Sequence, residues 1–212
     1  MKKIRYLIVV MGILLSFTAC NVKEKLPDMH IEKAQLTQEE VNILELLGAA
    51  DAYTFYDFQV NNKIKAIQIN TYELKNGKWS LIFGGGGRTF ADAGGRIALS
   101  GENIAEGCRI AIQGENNMGS HSYTTEIIKG QEDLKKITAY LTDIEEIIYE
   151  EEIPLVIQIQ TSKNTISSYN VEYFYQPEEY SKYDYEHVYA ITVRFSEKTI
   201  RELDDMGKIN ID

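Results

Sequence analysis

Cys108, followed directly by Arg109, is the side chain in this sequence most able to act as a nucleophile. A thiol beside a guanidinium ionises more readily, and the thiolate is the reactive form. His121 would complete a thiol–imidazole pair of the kind used by thiol-dependent hydrolases. The local pattern argues otherwise. Cys108, Ile110 and Ile112 alternate with Arg109 and Ala111, so on a strand the thiol shares a face with the isoleucines and Arg109 points away. A buried cysteine serving as a small hydrophobe is the better reading. Gly119-Ser120-His121-Ser122 lacks the second glycine of a nucleophile elbow. Gly84-Gly85-Gly86-Gly87-Arg88 has the glycines of a phosphate cradle but is followed by no Lys-Ser/Thr. It reads as a loop leaving a hairpin, with the freedom to clasp a ligand.

Metal chemistry finds little support. Asp184, Glu186 and His187 supply suitable ligand types, but strand alternation sends the carboxylates to one face and the imidazole to the other. Glu145, Glu146, Glu150, Glu151 and Glu152 surround Tyr149 and could attract calcium. The alternating Asp/Asn pattern and central glycine of a calcium loop are missing, so a solvated face is expected. No metal, cofactor or catalytic residue is assigned. The tyrosines are more suggestive. Seven of the 14 fall between Tyr169 and Tyr189, and Tyr173, Tyr175, Tyr180, Tyr183 and Tyr185 form the candidate ligand-binding set. A ring with a hydroxyl tip suits a glycan, a peptide or a protein partner. Tyrosine also favours strands for packing reasons alone, which is the plainer explanation.

The elements that would position these residues are mostly strands. Thr37-Gln38-Glu39-Glu40 is a capping box, and Val41, Leu44 and Leu47 give the stripe of a short helix that Gly48 can stop. From Tyr53 the apolar period changes to two. Asn76-Gly77 separates Tyr72-Glu73-Leu74 from Trp79-Ser80-Leu81-Ile82, a strong hairpin signal. Residues 53–83 therefore predict a three-stranded antiparallel meander. Further strands are expected at Arg96–Leu99, Cys108–Gln113, Ile137–Leu141, Leu155–Gln160, Val171–Phe174 and Val188–Phe195. Leu134–Ile148 fits a charged helix or a strand, and Ile137-Thr138-Ala139-Tyr140-Leu141 favours the strand. Ser196–Met206 suits a short C-terminal helix capped by Ser196. Ile67-Gln68-Ile69-Asn70-Thr71 is echoed by Ile157-Gln158-Ile159-Gln160-Thr161, through duplication of a half-domain or through the few residue types that strands use. The fold class is mainly β, an antiparallel β-sandwich-like domain with a short N-terminal helix.

The first 19 residues are of a different kind. Lys2, Lys3 and Arg5 precede the apolar run from Tyr6 to Phe17, and Phe17-Thr18-Ala19-Cys20 follows. This is the layout of a secretory signal peptide. An uncleaved anchor helix would need about 20 apolar residues, more than this run supplies. Its end resembles the lipobox of bacterial lipoproteins. The resemblance implies that Cys20 carries a diacylglycerol and becomes the mature N-terminus, so that the chain sits on the outer face of the cell membrane. Two acyl chains suffice physically, since each buried CH₂ contributes about 0.8 kcal/mol. Residues 20–35, polar and containing Pro27, read as a flexible tether averaging roughly 20 Å end to end. Residues 36–212 form the β-rich extracytoplasmic domain, with 36–130 and 131–212 as candidate halves.

The leader holds three of the 22 basic residues and none of the 32 acidic ones, so the mature chain is strongly acidic. Such a surface repels nucleic acid and anionic headgroups. With Cys20 lipidated, only Cys108 remains, and no disulfide can form within one chain. Leu36-Thr37-Gln38-Glu39-Glu40 and Tyr72-Glu73-Leu74-Lys75-Asn76-Gly77-Lys78-Trp79 resemble segments of uncharacterised small surface lipoproteins of Gram-positive bacteria. That resemblance implies no particular activity. The expected function is a non-catalytic binding or interaction module on a lipid anchor. A structural or assembly accessory of an envelope complex is the alternative, and a thiol hydrolase at Cys108 and His121 the third.

Overall fold

The computed structural model describes residues 26–84, 87–100, 102–115, 118–124, 134–167 and 169–203. Among the described residues twelve strands form two antiparallel sheets, the mainly β class that the alternating apolar runs predict. Sheet one contains β1 (His30–Lys33), β2 (Tyr53–Gln59), β6 (Gly94–Ser100), β7 (Gly107–Gly114), β8 (Met118–Thr124) and β10 (Glu145–Glu146). Its order is β10-β1-β2-β6-β7-β8. Sheet two contains β3 (Ala66–Lys75), β4 (Lys78–Phe83), β5 (Gly87–Thr89), β9 (Lys135–Tyr140), β11 (Glu152–Thr161) and β12 (His187–Ser196). Its order is β4-β3-β12-β11-β9, and β5 also pairs with β3. The sheets face each other across one core. Ile31, Tyr56 and Ile97 from the first meet Ile67, Val156 and Val193 from the second in a single buried cluster. Tyr56 Oη donates across the gap to Leu155 O at 2.8 Å, a bond contributing about 1 kcal/mol.

The capping box forms as the sequence requires. Thr37 N donates to Glu40 Oε2 at 2.7 Å, and Glu40 N donates back to Thr37 Oγ1 at 3.3 Å. The Thr37 N–H, before any other group, holds the Glu40 carboxyl below its ordinary range. Helix α1 (Gln38–Leu46) ends at Gly48, whose φ of 63° needs no Cβ. Gly48 N donates to Glu45 O and Ala49 N to Leu44 O, which is a Schellman cap. No side chain of α1 is buried. Its connection to the sandwich is Glu40, which meets Arg96 on β6 at 2.6 Å while Arg96 also holds Asp57 on β2. These side chains are half-exposed, so each pair contributes at most about 1 kcal/mol.

Four expectations are corrected. The sequence predicts a tether over residues 20–35, but His30–Lys33 is an interior strand of sheet one, with Ile31 fully buried. Four residues show too little alternation to reveal a strand, and β1 exists through its pairing with β2 and β10. The meander over 53–83 is divided. β3 and β4 form the predicted hairpin, with Asn76 and Gly77 at φ 52° and 74°. β2 pairs with β1 and β6 instead, because residues 60–65 carry the chain from one sheet to the other, burying Val60 and Ile64. Val171–Phe174 is not a strand but part of a 3-10 helix over Val171–Tyr175, followed by a second over Pro177–Lys182. Val171, Phe174 and Tyr180 are buried at multiples of three, the spacing of a 3-10 turn. The C-terminal helix begins at residue 200 rather than at Ser196. Ser196 closes β12, and the cap is Thr199, which exchanges bonds with Glu202.

The two candidate halves are interleaved. β12 lies between β3 and β11, and β1 lies between β2 and β10. Sheet two takes β3, β4 and β5 from the first half and β9, β11 and β12 from the second. The Ile67 and Ile157 echoes flank the same strand with opposite faces. Ile69 and Val193 are partners, as are Gln158 and Tyr189, so Ile69 shares a face with Gln158 and not with Ile157 or Ile159. Duplication would have preserved the facing, so shared strand composition explains the likeness. Every described element lies within residues 30–203.

Candidate functional site

A cavity of about 580 Å³ opens between the sheets where the edge strands β8 and β4–β5 face each other. Alternation places its walls. Ile67 and Ile69 point inward from β3, and Ile110 and Ile112 point inward from β7. Phe83 at the end of β4 closes one side. The charged residue of the lining is Arg88. It pairs with Ile67 across β3–β5 and therefore faces the other sheet. Its Nη1 donates to Ile112 O at 3.3 Å. Gly119 on β8 makes room for this crossing, since a Cβ there would collide with the Arg88 guanidinium. Aliphatic walls of this volume with one guanidinium match the composition of a small-molecule site, which is mostly apolar with few polar groups.

The opposite face of sheet two carries a polar network. Glu152 Oε1 accepts from Asn70 Nδ2 at 2.8 Å and from Tyr72 Oη at 3.1 Å. Its Oε2 accepts from Thr192 Oγ1. Arg194 stands 3.9 Å away and donates through Nε to Gln68 Oε1 at 2.9 Å. Gln68, Asn70 and Thr192 are buried. Burial, then the Glu152 carboxylate, raises the Tyr72 pKa above its ordinary value. Every oxygen of Glu152 is used, which makes the cluster a structural tie across β3, β11 and β12.

A family model described as the YgaN domain matches residues 30–195. This chain belongs to the YgaN family. No curated protein and no solved structure was found to match. The matched span starts at the first residue of β1 and stops one residue before the end of β12. The YgaN domain is thus the two-sheet sandwich itself, with its inter-sheet cavity.

Within the YgaN domain the candidate tyrosines do not form one surface. Tyr180 is 2% exposed. Tyr173 and Tyr185 are half-buried against the core, and only Tyr175 and Tyr183 are exposed. The rings pack on one another. Tyr169 lies 4.6 Å from Tyr173 and 4.8 Å from Tyr180, and Tyr183 stacks on Tyr185 at 5.6 Å. Trp79 on β4 stacks on Phe174 at 5.1 Å and donates its Nε1 to Phe174 O. This segment covers the outer face of sheet two around Tyr72 and Leu74, so most of its tyrosines are core.

The other sequence candidates fall as follows. His121 pairs in backbone register with Ile110, while Cys108 pairs with Tyr123. Cys108 is buried, and that burial pushes its thiol up to about 12. A thiol of that pKa is ionised in roughly one molecule in ten thousand at pH 8. Iodoacetamide at pH 8 should therefore label Cys108 in the folded domain more than about a hundredfold more slowly than free cysteine, and readily in urea. Labelling at the rate of an exposed thiol would revive the nucleophile. Of the glycine loop, Gly84 and Gly87 line the cavity, and Gly85 and Gly86 lie outside the described residues. Among the described residues no three His, Cys, Asp or Glu side chains are gathered to hold a metal ion. Glu186 instead accepts from Ser162, which lowers its pKa to about 2. Cys20 lies outside the described residues. Sequence reasoning missed Arg88 as a site residue. The available signal was one cation directly after four glycines, between two apolar strands.

Proposed function

We propose that this protein is a membrane-anchored extracytoplasmic lipoprotein whose YgaN domain is a non-catalytic binding module at the cell surface. The observation that carries the binding role is the inter-sheet cavity with its isoleucine walls and the Arg88 guanidinium. The anchor rests on the leader and Cys20. Residues 21–212 would be screened for thermal stabilisation by calcium, muropeptides, glycans, short peptides and lipids. A ligand at about 100 times its Kd adds about 2.7 kcal/mol, which is roughly 5–10 °C for a domain of this size. The expected result is a rise for one class that Ile112→Trp removes. A screen with no such rise would defeat the binding role. The anchor is tested separately, by the mass of the mature N-terminal peptide and by release of a Cys20→Ser chain from the membrane. An accessory role in an envelope complex is the second reading. It draws on α1, where Ile43, Leu46 and Leu47 are exposed, and predicts cross-links from α1 to a membrane protein.

A further inference from the structure

We propose that the inter-sheet cavity holds a single-chain amphiphile, with an aliphatic tail between the isoleucines and an anionic headgroup on Arg88. This inference rests on reading the YgaN domain as a binding module and names the class of its ligand. The walls decide the tail. Ile67 and Ile69 on one side and Ile110 and Ile112 on the other present branched aliphatic groups two residues apart along facing strands. That spacing is about 7 Å, so the groups make a continuous apolar slot along the strand direction. Among the described residues of the lining, Arg88 and Ser120 are the polar ones, beside four isoleucines and Phe83. Phe83 adds an aromatic ring to the aliphatic walls.

Arg88 decides the head. It reaches the cavity from β5 and spans to the opposite sheet, so its guanidinium lies beside the aliphatic slot rather than in bulk water. Its bond to Ile112 O is long, at 3.3 Å. A carboxylate or phosphate seated in the cavity would make a short, charge-assisted and bidentate contact with such a guanidinium. Gly119 lies against the guanidinium, which fixes the place where Arg88 crosses to β8.

The test measures binding to residues 21–212 by native mass spectrometry and titration calorimetry, below the critical micelle concentrations. The probes are oleate, monooleoyl lysophosphatidate and oleyl alcohol. Binding of either acid, one per chain, supports the proposal, and the tighter of the two distinguishes a carboxylate from a phosphate source. Oleyl alcohol should bind about tenfold more weakly or worse. Arg88→Met should remove that preference without affecting the alcohol. Ile112→Trp and Ile69→Trp, from opposite walls, should each abolish binding of all three, and a retained unfolding midpoint in either variant reports occlusion rather than misfolding. Equal binding of acid and alcohol, or an unchanged oleate affinity in Arg88→Met, would overturn the headgroup assignment. If no amphiphile binds while another class stabilises the domain through the cavity, the ligand class is wrong and the binding role stands. If Ile112→Trp changes the response to nothing in either set, both fall.

Discussion

Replacing Phe195 with alanine should destabilise the domain by about 3–5 kcal/mol, the range for a fully buried phenylalanine. Phe195 is 0% exposed on β12 and packs 5.2 Å from Phe58 on β2. Phe58 in turn packs 5.3 Å from Phe90. These rings join the sheets beside the cavity, since Phe195 is the register partner of the wall residue Ile67, and backbone on both sides keeps the void left by their loss from collapsing. In a domain of this size each kcal/mol shifts the Tm by about 2–4 °C, so a fall of roughly 6–20 °C is expected. Phe195→Leu keeps most of the volume and should cost far less. Urea unfolding provides the check, with the midpoint falling and the slope unchanged. A loss under about 1 kcal/mol would mean that the sheets do not depend on this contact.

Glu152→Ala should cost about 3 kcal/mol or more. The carboxylate accepts from Asn70, Tyr72 and Thr192 and lies beside Arg194. Removing it strips that acceptor from three donors on two neighbouring strands, and each buried donor left without its acceptor costs about 1–3 kcal/mol. Arg194 keeps Gln68 but loses its nearby anion. The Glu152 side chain is 19% exposed, so water can reach part of the site and the effect should fall below that of a fully buried ion pair. Glu152→Gln retains one acceptor and should lose about half as much. A Glu152→Ala, Arg194→Met double variant should cost less than the sum of the singles, because the two groups share one network. Additive losses would show that Arg194 acts independently of Glu152.

The cavity walls and the network were unequally legible in the sequence. Ile67, Ile69, Ile110 and Ile112 sit in alternating runs, so their strands and faces could be read directly. Thr37 and Glu40, and Asn76-Gly77, are local signals and formed the cap and turn they encode. Arg88 and Glu152 were not legible as site residues, because their partners lie on strands distant in sequence. Glu152 in particular looked like one of a run of solvated acids, yet it enters β11 and turns toward Asn70 and Thr192. The tyrosines misled for a related reason. Their residue types favour strands and surfaces, but the outer face of sheet two needed covering, and two 3-10 turns starting at Val171 and Pro177 cover it. Strand β1 escaped because its stability comes from β2 and β10 rather than from its own four residues.

The central place of β12 sets the timing of folding. This strand is the last of the twelve to be synthesised, yet it is the one on which both β3 and β11 pair. The bond between Gln68 and Arg194 closes a loop of 126 residues. Such distant closures make for slow folding. Until residues 187–196 emerge, β3 and β11 present unpaired edges and a hydrophobic face, a state open to aggregation. Sheet two is therefore completed in one late step, and a chain truncated before His187 would be left as protease substrate.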